Sequence, residues 1–246
     1  MNERLDAALR RFARLATRAV VAFPRLWRLF RGPVRAQFDR LAASWESRRG
    51  PEDVASLAAA LETLGSTPAR ILDLGTGTGR AARLLARRFP SAEVVGVDLS
   101  PLMVDEARRL LPDELHGRVR YDVADASALP FVDGEFDLVV LLNMIPFFGE
   151  LARVTARGGA AVFAFSSGPK TPIYVPPETL RQRLAPLGFE RFQEIEASPA
   201  TAVVARRRPL PARGAAGGEG RNRTGDTTVF SRVLYRLSYL AAADPV

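Results

Sequence analysis

The feature that most constrains this chain is a short apolar run, Ile71-Leu72-Asp73-Leu74, that passes directly into Gly75-Thr76-Gly77-Thr78-Gly79 and then into a helical pattern. A buried strand that turns through glycines into a helix is the opening of a βαβ unit. Glycines are needed there where backbone must come close to a ligand lying across the strand ends. The rest of the middle repeats the same alternation. Ile71–Leu74, Glu93–Val97, Val119–Val123, Phe136–Leu142 and Ala160–Phe165 read as strands, with helices expected near 79–89, 101–111 and 146–155. Strand and helix in alternation imply a parallel sheet with right-handed crossovers. A helix near 177–187 and strands Phe189–Glu196 and Thr201–Ala205 follow. Only four residues separate those two strands, which predicts an antiparallel hairpin at one sheet edge. The expected fold is therefore α/β: a doubly wound, Rossmann-like sheet of seven strands, mostly parallel with one antiparallel edge strand, plus a helical N-terminal extension.

Four segments are expected. Residues 1–35 form a basic amphipathic arm, with Leu5, Leu9, Phe12, Leu15, Ala19, Phe23, Leu26, Trp27 and Phe30 at helical spacing, a kink at Pro24 and an end at Gly32-Pro33. Residues 36–206 form the α/β domain, beginning with a helical stretch over about 36–64. Residues 207–228, rich in Gly, Pro and Arg, read as a flexible linker, and 229–246 as a short amphipathic segment. The formal charge of +8 is unevenly spread: residues 1–35 hold nine arginines against two acids and residues 206–246 eight against three, so the middle is net acidic. A nucleic-acid enzyme concentrates positive charge around its cleft, so a small-molecule partner is expected instead.

The chain has no cysteine and a single histidine, His116. Disulfides, thiol nucleophiles, Cys-based zinc sites and iron–sulfur clusters are thereby excluded, and no metal site is expected. Arginines interrupt the N-terminal stretch, so no signal peptide is expected, and no apolar run approaches the ~18–20 residues of a membrane span. A cytoplasmic protein is the expectation.

The glycine spacing separates two ligand classes. The dinucleotide fingerprint is G-x-G-x-x-G, whereas this chain has G-x-G-x-G with Asp73 two residues before the first glycine. A carboxylate is repelled by a pyrophosphate and attracted by the ammonium of a methionyl ligand. That favours S-adenosylmethionine (SAM) over a nicotinamide dinucleotide.

Residues 70–205 resemble a class I SAM-dependent methyltransferase domain. The resemblance implies that Asp73, Gly75, Thr76, Gly77 and Gly79 cradle the methionyl end. It implies that Asp98, ending the second strand, accepts from the ribose hydroxyls while Leu99 packs on the adenine. It also implies that Asp125-Ala126, before Leu129-Pro130-Phe131, recognises the adenine amine, and that Asn143 lies near the methyl group. Arg153–Gly159 resembles the family's turn into strand five, and Phe38–Glu46 its N-terminal lid helix, with Trp45 where a tyrosine is common. Taken singly, each acid also has a local use: Asp73 as a turn former, Asp98 as a helix cap, Asp125 in an Asx turn.

The expected activity is methyl transfer to a small organic acceptor, lipid-like or aromatic, by in-line displacement, for which positioning supplies most of the acceleration. The alternative is a SAM-binding module without turnover. No clear base stands out; Glu150, Lys170 and Tyr174 are the candidates, with the loop 166–177 as acceptor wall. Absence of cysteine excludes cytosine-C5 chemistry. Asn143-Met144-Ile145-Pro146 departs from the Asn/Asp-Pro-Pro-aromatic turn of amino-methylating nucleic-acid enzymes, and no carboxylate cluster supports a metal-dependent catechol type. The basic arm is read in two ways, as a contact with an anionic membrane surface or as a lid or dimer seam.

Overall fold

The computed structural model describes residues 3–210 of the chain. Residues 211–228 of the expected linker and all of the C-terminal segment lie outside the described residues. Helices α1 (Glu3–Ala22), α2 (Trp27–Trp45) and α3 (Ala55–Glu62) precede strand β1 (Arg70–Leu74). Then follow α4 (Arg80–Arg88), β2 (Glu93–Asp98), α5 (Pro101–Arg109), β3 (Val119–Val123), β4 (Phe136–Leu142), α6 (Phe148–Val154), β5 (Thr155–Phe165), α7 (Pro177–Leu184), β6 (Phe189–Ala197) and β7 (Ala200–Arg207). The strands form one sheet in the order β3-β2-β1-β4-β5-β7-β6. All neighbours through β5 are parallel. The β6–β7 hairpin closes one edge, with β7 running against β5 and β6.

Winding reverses between β1 and β4, which lie side by side although α4, β2, α5 and β3 separate them in the chain. At such a switch point the connecting loops diverge and leave a crevice outside the carboxyl ends of the strands. Alternation along the strands feeds two apolar layers. Leu72, Leu74, Val139 and Leu141 pack with α6, α7 and the arm residues Val20, Val21 and Trp27. Ile71, Leu138 and Val140 pack with α3, α4 and α5.

The N-terminal region departs from expectation in three ways. The chain does break around Pro24, but Gly32-Pro33 does not end the helix: α2 runs through both, and through the boundary drawn at residue 35, to Trp45. Proline removes the donor that would reach the carbonyl of Leu29. Leu29, Gly32 and Pro33 are all exposed, so water can reach that turn of the helix. Second, the stretch 36–64 is not continuous, being interrupted by short 3₁₀ turns on either side of Gly50. Third, the buried face of α1 includes Thr17, Val20 and Val21, whereas Leu15 and Phe23 point outward. Of the expected stripe, Trp27 is buried and Phe30 packs against the same cluster, whereas Leu15 and Phe23 are exposed; the side chains of Leu5, Leu9 and Phe12 lie outside the described ones.

Candidate cofactor site

At the end of β1 the chain must reverse within a few residues beside two neighbouring strand ends. Gly75, Gly77 and Gly79 all have positive φ, at 70°, 53° and 81°. Side chains would also collide: a Cβ at Gly75 would lie 2.5 Å from Met144 Cγ, and one at Gly79 2.4 Å from the Tyr121 hydroxyl. The loop is fixed by the amides of Gly75 and Thr76, both donating to the carbonyl of Val97 at 2.9 Å. Gly75 thus lies between the ends of β2 and β4, at the switch point.

Asp73 is fully buried on the α4 side of β1. Thr76 Oγ1 donates to its Oδ2 at 2.6 Å, while Oδ1 has no hydrogen-bond partner. Burial is the main cause that pushes its carboxyl up to about 7; the Thr76 hydrogen bond works against the shift and the nearby Asp98 adds to it. A buried carboxylate with one bare oxygen fits a cationic ligand group, which would supply the missing partner and charge. Asp98 ends β2. Its Oδ2 accepts from the Gly77 amide and its Oδ1 from the Ser100 amide, each at 2.9 Å. Burial raises its carboxyl above the ordinary range, and those amides oppose the rise. The cap of α5 is Ser100, whose hydroxyl accepts from the Met103 amide, so Asp98 is not itself the capping residue. Leu99 packs half-buried beside the same layer as Ala126 and Leu129.

Asp125 lies just beyond β3, with Ala126 buried behind it. Its Oδ1 accepts from the Ser127 amide in an Asx-type turn, and also from the indole Nε1 of Trp27, both at 2.9 Å. Asn143 follows β4 in a left-handed conformation, φ 53°. Its side chain bonds Ser166 twice, donating to Ser166 Oγ at 2.9 Å and accepting from the Ser166 amide at 3.0 Å. The amide thereby pins the ends of β4 and β5 together. A non-glycine residue held at positive φ beside a crevice is the kind of strain that sites retain.

Helix α2 covers the glycine loop. Trp45 Nε1 would lie 3.6 Å from a Cβ on Gly77. Glu46 follows it and accepts from Thr78 Oγ1 at 2.9 Å and Arg83 Nη2 at 2.7 Å, and Ser100 Oγ donates to Asp39 Oδ1. Trp27 was not anticipated as a site residue, and Asp39, Glu46 and Ser166 were anticipated only as members of the lid helix Phe38–Glu46 and of the loop 166–177. Their signal is weak in sequence: a buried indole needs an acceptor, but nothing local says which.

The candidates for catalysis are dispersed. Glu150 accepts from Arg153 and from the Leu129 amide at 2.7 Å. Those bonds, the Arg153 one foremost, hold its carboxyl below the usual range. It braces the Leu129-Pro130-Phe131 turn. Lys170 is exposed, and its carbonyl receives Arg14 of the arm at 3.1 Å. Tyr174 is half-buried, edge-on to Phe165 with ring centroids 5.0 Å apart. Burial, aided by Glu194, raises its phenol. His116 is exposed between α5 and β3, at the opposite end of the sheet from the glycine loop. Among the described residues no group of three or more His, Asp or Glu could hold a metal ion.

A family model described as "Methyltransferase domain" matches residues 71–159, the span from β1 into β5. A demethylmenaquinone methyltransferase of Thermus thermophilus is 47% identical over 116 residues, covering 44% of this chain and 52% of that protein. A malonyl-[acyl-carrier protein] O-methyltransferase of Geobacter sulfurreducens is 41% identical over 146 residues, covering 54% and 53%. The chain thus spans about half the length of the curated relatives it matches. A SAM-dependent methyltransferase from Aquifex aeolicus superposes with a TM-score of 0.55 at 18% identity, over 70% of this chain and 97% of that one, a likeness of fold. Residues 71–159 are thus similar to a methyltransferase domain, the segment this chain shares with the family model and with the matched methyltransferases.

Proposed function

We propose that this chain binds SAM across the carboxyl ends of β1, β2 and β3 and transfers its methyl group to a small organic acceptor. The observation that carries this reading is the convergence of Asp73, Asp98 and Asp125, from three successive strands, around a glycine loop held open by positive φ. Asp73 faces the ligand's ammonium, Asp98 the ribose hydroxyls, and Asp125 with Ala126 the adenine. Gly75, Thr76, Gly77 and Gly79 admit the backbone, Leu99 packs on the base, and Asn143 borders the methyl.

The bound cofactor supplies a methyl carbon already activated on a sulfonium. The acceptor atom forms its bond to that carbon as the carbon–sulfur bond breaks, and the electron pair stays on sulfur. What the protein adds is orientation and exclusion of water. Tyr174, with its phenol kept protonated, serves as a hydrogen-bond donor on the acceptor wall rather than as a base. The matched relatives are named for acceptors as different as demethylmenaquinone and malonyl-acyl carrier protein, which supports a small organic acceptor and leaves its class open between lipid-like and aromatic.

Calorimetric titration with SAM tests the reading. Micromolar binding by the wild type, lost in Asp98→Ala, is the expected result; equal binding by both proteins would sink the assignment of Asp98. A second reading, a SAM-binding module without turnover, is favoured by one observation: Glu150 is locked in an ion pair and Lys170 is exposed, so neither is poised as a base. Formation of S-adenosylhomocysteine with any candidate acceptor eliminates it.

We place the protein in the cytoplasm, with the arm meeting an anionic membrane surface. No helix among the described residues is long and apolar enough to cross a membrane. Phe23 and Leu29 are 68% and 70% exposed beside the exposed Arg25 and Arg28, the pairing of apolar and cationic groups that suits an interfacial contact. Phe23→Asp with Leu29→Asp should abolish co-sedimentation with phosphatidylserine vesicles, and unchanged sedimentation would refute the contact.

A further inference from the structure

We propose that Trp27, on the N-terminal arm, is a positioning residue of the cofactor site: its indole N–H fixes the Asp125 carboxylate so that Oδ2 is presented to an amine donor. The inference rests on the reading of Asp125 as the adenine acceptor and adds to it a residue 98 positions away in the chain.

A carboxylate at the end of a strand can turn about the bond that carries it. The Ser127 amide alone, at 2.9 Å, acts as a hinge on Oδ1. A second donor on the same oxygen, Trp27 Nε1 at 2.9 Å, fixes the plane. Both donors fall on Oδ1, and no hydrogen bond from the described residues reaches Oδ2. Arg31 Nη1 stands 3.9 Å from that oxygen on a side chain 59% exposed, too far for a hydrogen bond. Oδ2 is thus oriented and free to accept.

The indole is itself held. Trp27 is 6% exposed and meets Phe147 edge-on with centroids 5.2 Å apart. It packs in the same layer as Ala126 and Leu129, the residues flanking the recognition turn. A buried indole needs an acceptor, yet a backbone carbonyl would serve that need equally well. Here the acceptor is the one carboxylate of the β3 turn. The arm therefore reaches the adenine end of the site through a hydrogen bond, not only by covering it.

The test separates orientation of Asp125 from general packing by varying the ligand as well as the protein. Calorimetry would compare S-adenosylhomocysteine with its analogue bearing hydrogen in place of the 6-amino group, on wild type, Trp27→Phe and Phe147→Leu. Trp27→Phe keeps an aromatic ring and removes the N–H; Phe147→Leu loosens the ring and keeps the N–H. The expected result is that Trp27→Phe weakens binding of the amino ligand by about tenfold, the scale of one hydrogen bond to a charged group, and leaves the analogue at its wild-type affinity. Phe147→Leu should retain the wild-type ratio between the two ligands. Equal weakening of both ligands by Trp27→Phe would reduce Trp27 to packing. Tighter binding would mean that the indole competes with adenine for Asp125. Either result, or no change, overturns the proposal while leaving the cofactor reading intact. Failure of the wild type to bind S-adenosylhomocysteine would instead bring down the cofactor reading, and this inference with it.

Discussion

Replacing Asp73 by Asn should remove a pH-dependent loss of stability from the ligand-free protein while removing its grip on the cofactor. In the folded chain this carboxyl is raised from 3.8 to about 7, chiefly by burial. The unfolded chain returns it to its ordinary value. Between those two values the folded state holds a proton that the unfolded state has lost, so stability is fully present at low pH and falls as pH rises through 7. Over the window from pH 5 to pH 7 the loss is about 2–3 kcal/mol, following the linkage slope for one proton. Asn cannot ionise, so its variant escapes that loss. It keeps an oxygen to accept from Thr76 and exposes its two N–H groups to a site with no acceptor, a pH-independent cost of about 1–3 kcal/mol. Urea denaturation of both proteins at pH 5 and pH 8.5 isolates the effect, because titrating groups that are not coupled to Asp73 cancel in the difference. The stability of Asp73→Asn relative to wild type should rise by about 2–3 kcal/mol between the two pH values. Saturating S-adenosylhomocysteine should restore the wild type at pH 8.5 and do little for the variant. Stability curves that stay parallel across this range would refute the argument, since they would mean that Asp73 enters the folded state already ionised and satisfied.

Glu46→Gln should weaken cofactor binding several-fold, because the charge that draws Arg83 and Thr78 to the end of α2 is lost; calorimetry beside a thermal melt checks that the effect falls on binding more than on stability. Glu150→Gln should leave the shape of the pH–rate profile unchanged, since Arg153 and the Leu129 amide already hold this carboxyl below the usual range. Its loss should appear as about 1 kcal/mol of stability after solvent screening, and a vanished limb of the pH–rate profile would restore Glu150 as a base.

The two halves of the site differ in how their residues are brought together, and that difference governs what a sequence can reveal. Asp73, Asp98 and Asp125 lie at or just past the ends of β1, β2 and β3, strands whose apolar runs are plain in the chain and whose spacing is fixed by backbone pairing about 4.8 Å apart. Once the strands are recognised, the acids form a staggered series: Asp73 is level with Gly96, two residues before Asp98, and Asp98 is level with Val123, two residues before Asp125. The N-terminal helices obey no such rule. Whether Pro33 ends a helix depends on whether the turn it interrupts can reach solvent, which is decided only when α2 is docked. Which edge of an apolar stripe is buried is equally a property of the surface it meets: Val20, Val21 and Trp27 found that surface, while Leu15 and Phe23 did not. The arm also meets the far side of the acceptor region, through Arg14 to the Lys170 carbonyl and Arg183 to the Ala22 carbonyl. The walls expected to select an acceptor are therefore set by the docking of one segment on another, with no periodic spacing to announce them. A ligand common to a whole family leaves its mark in strand ends, whereas a ligand particular to one chain leaves it in packing.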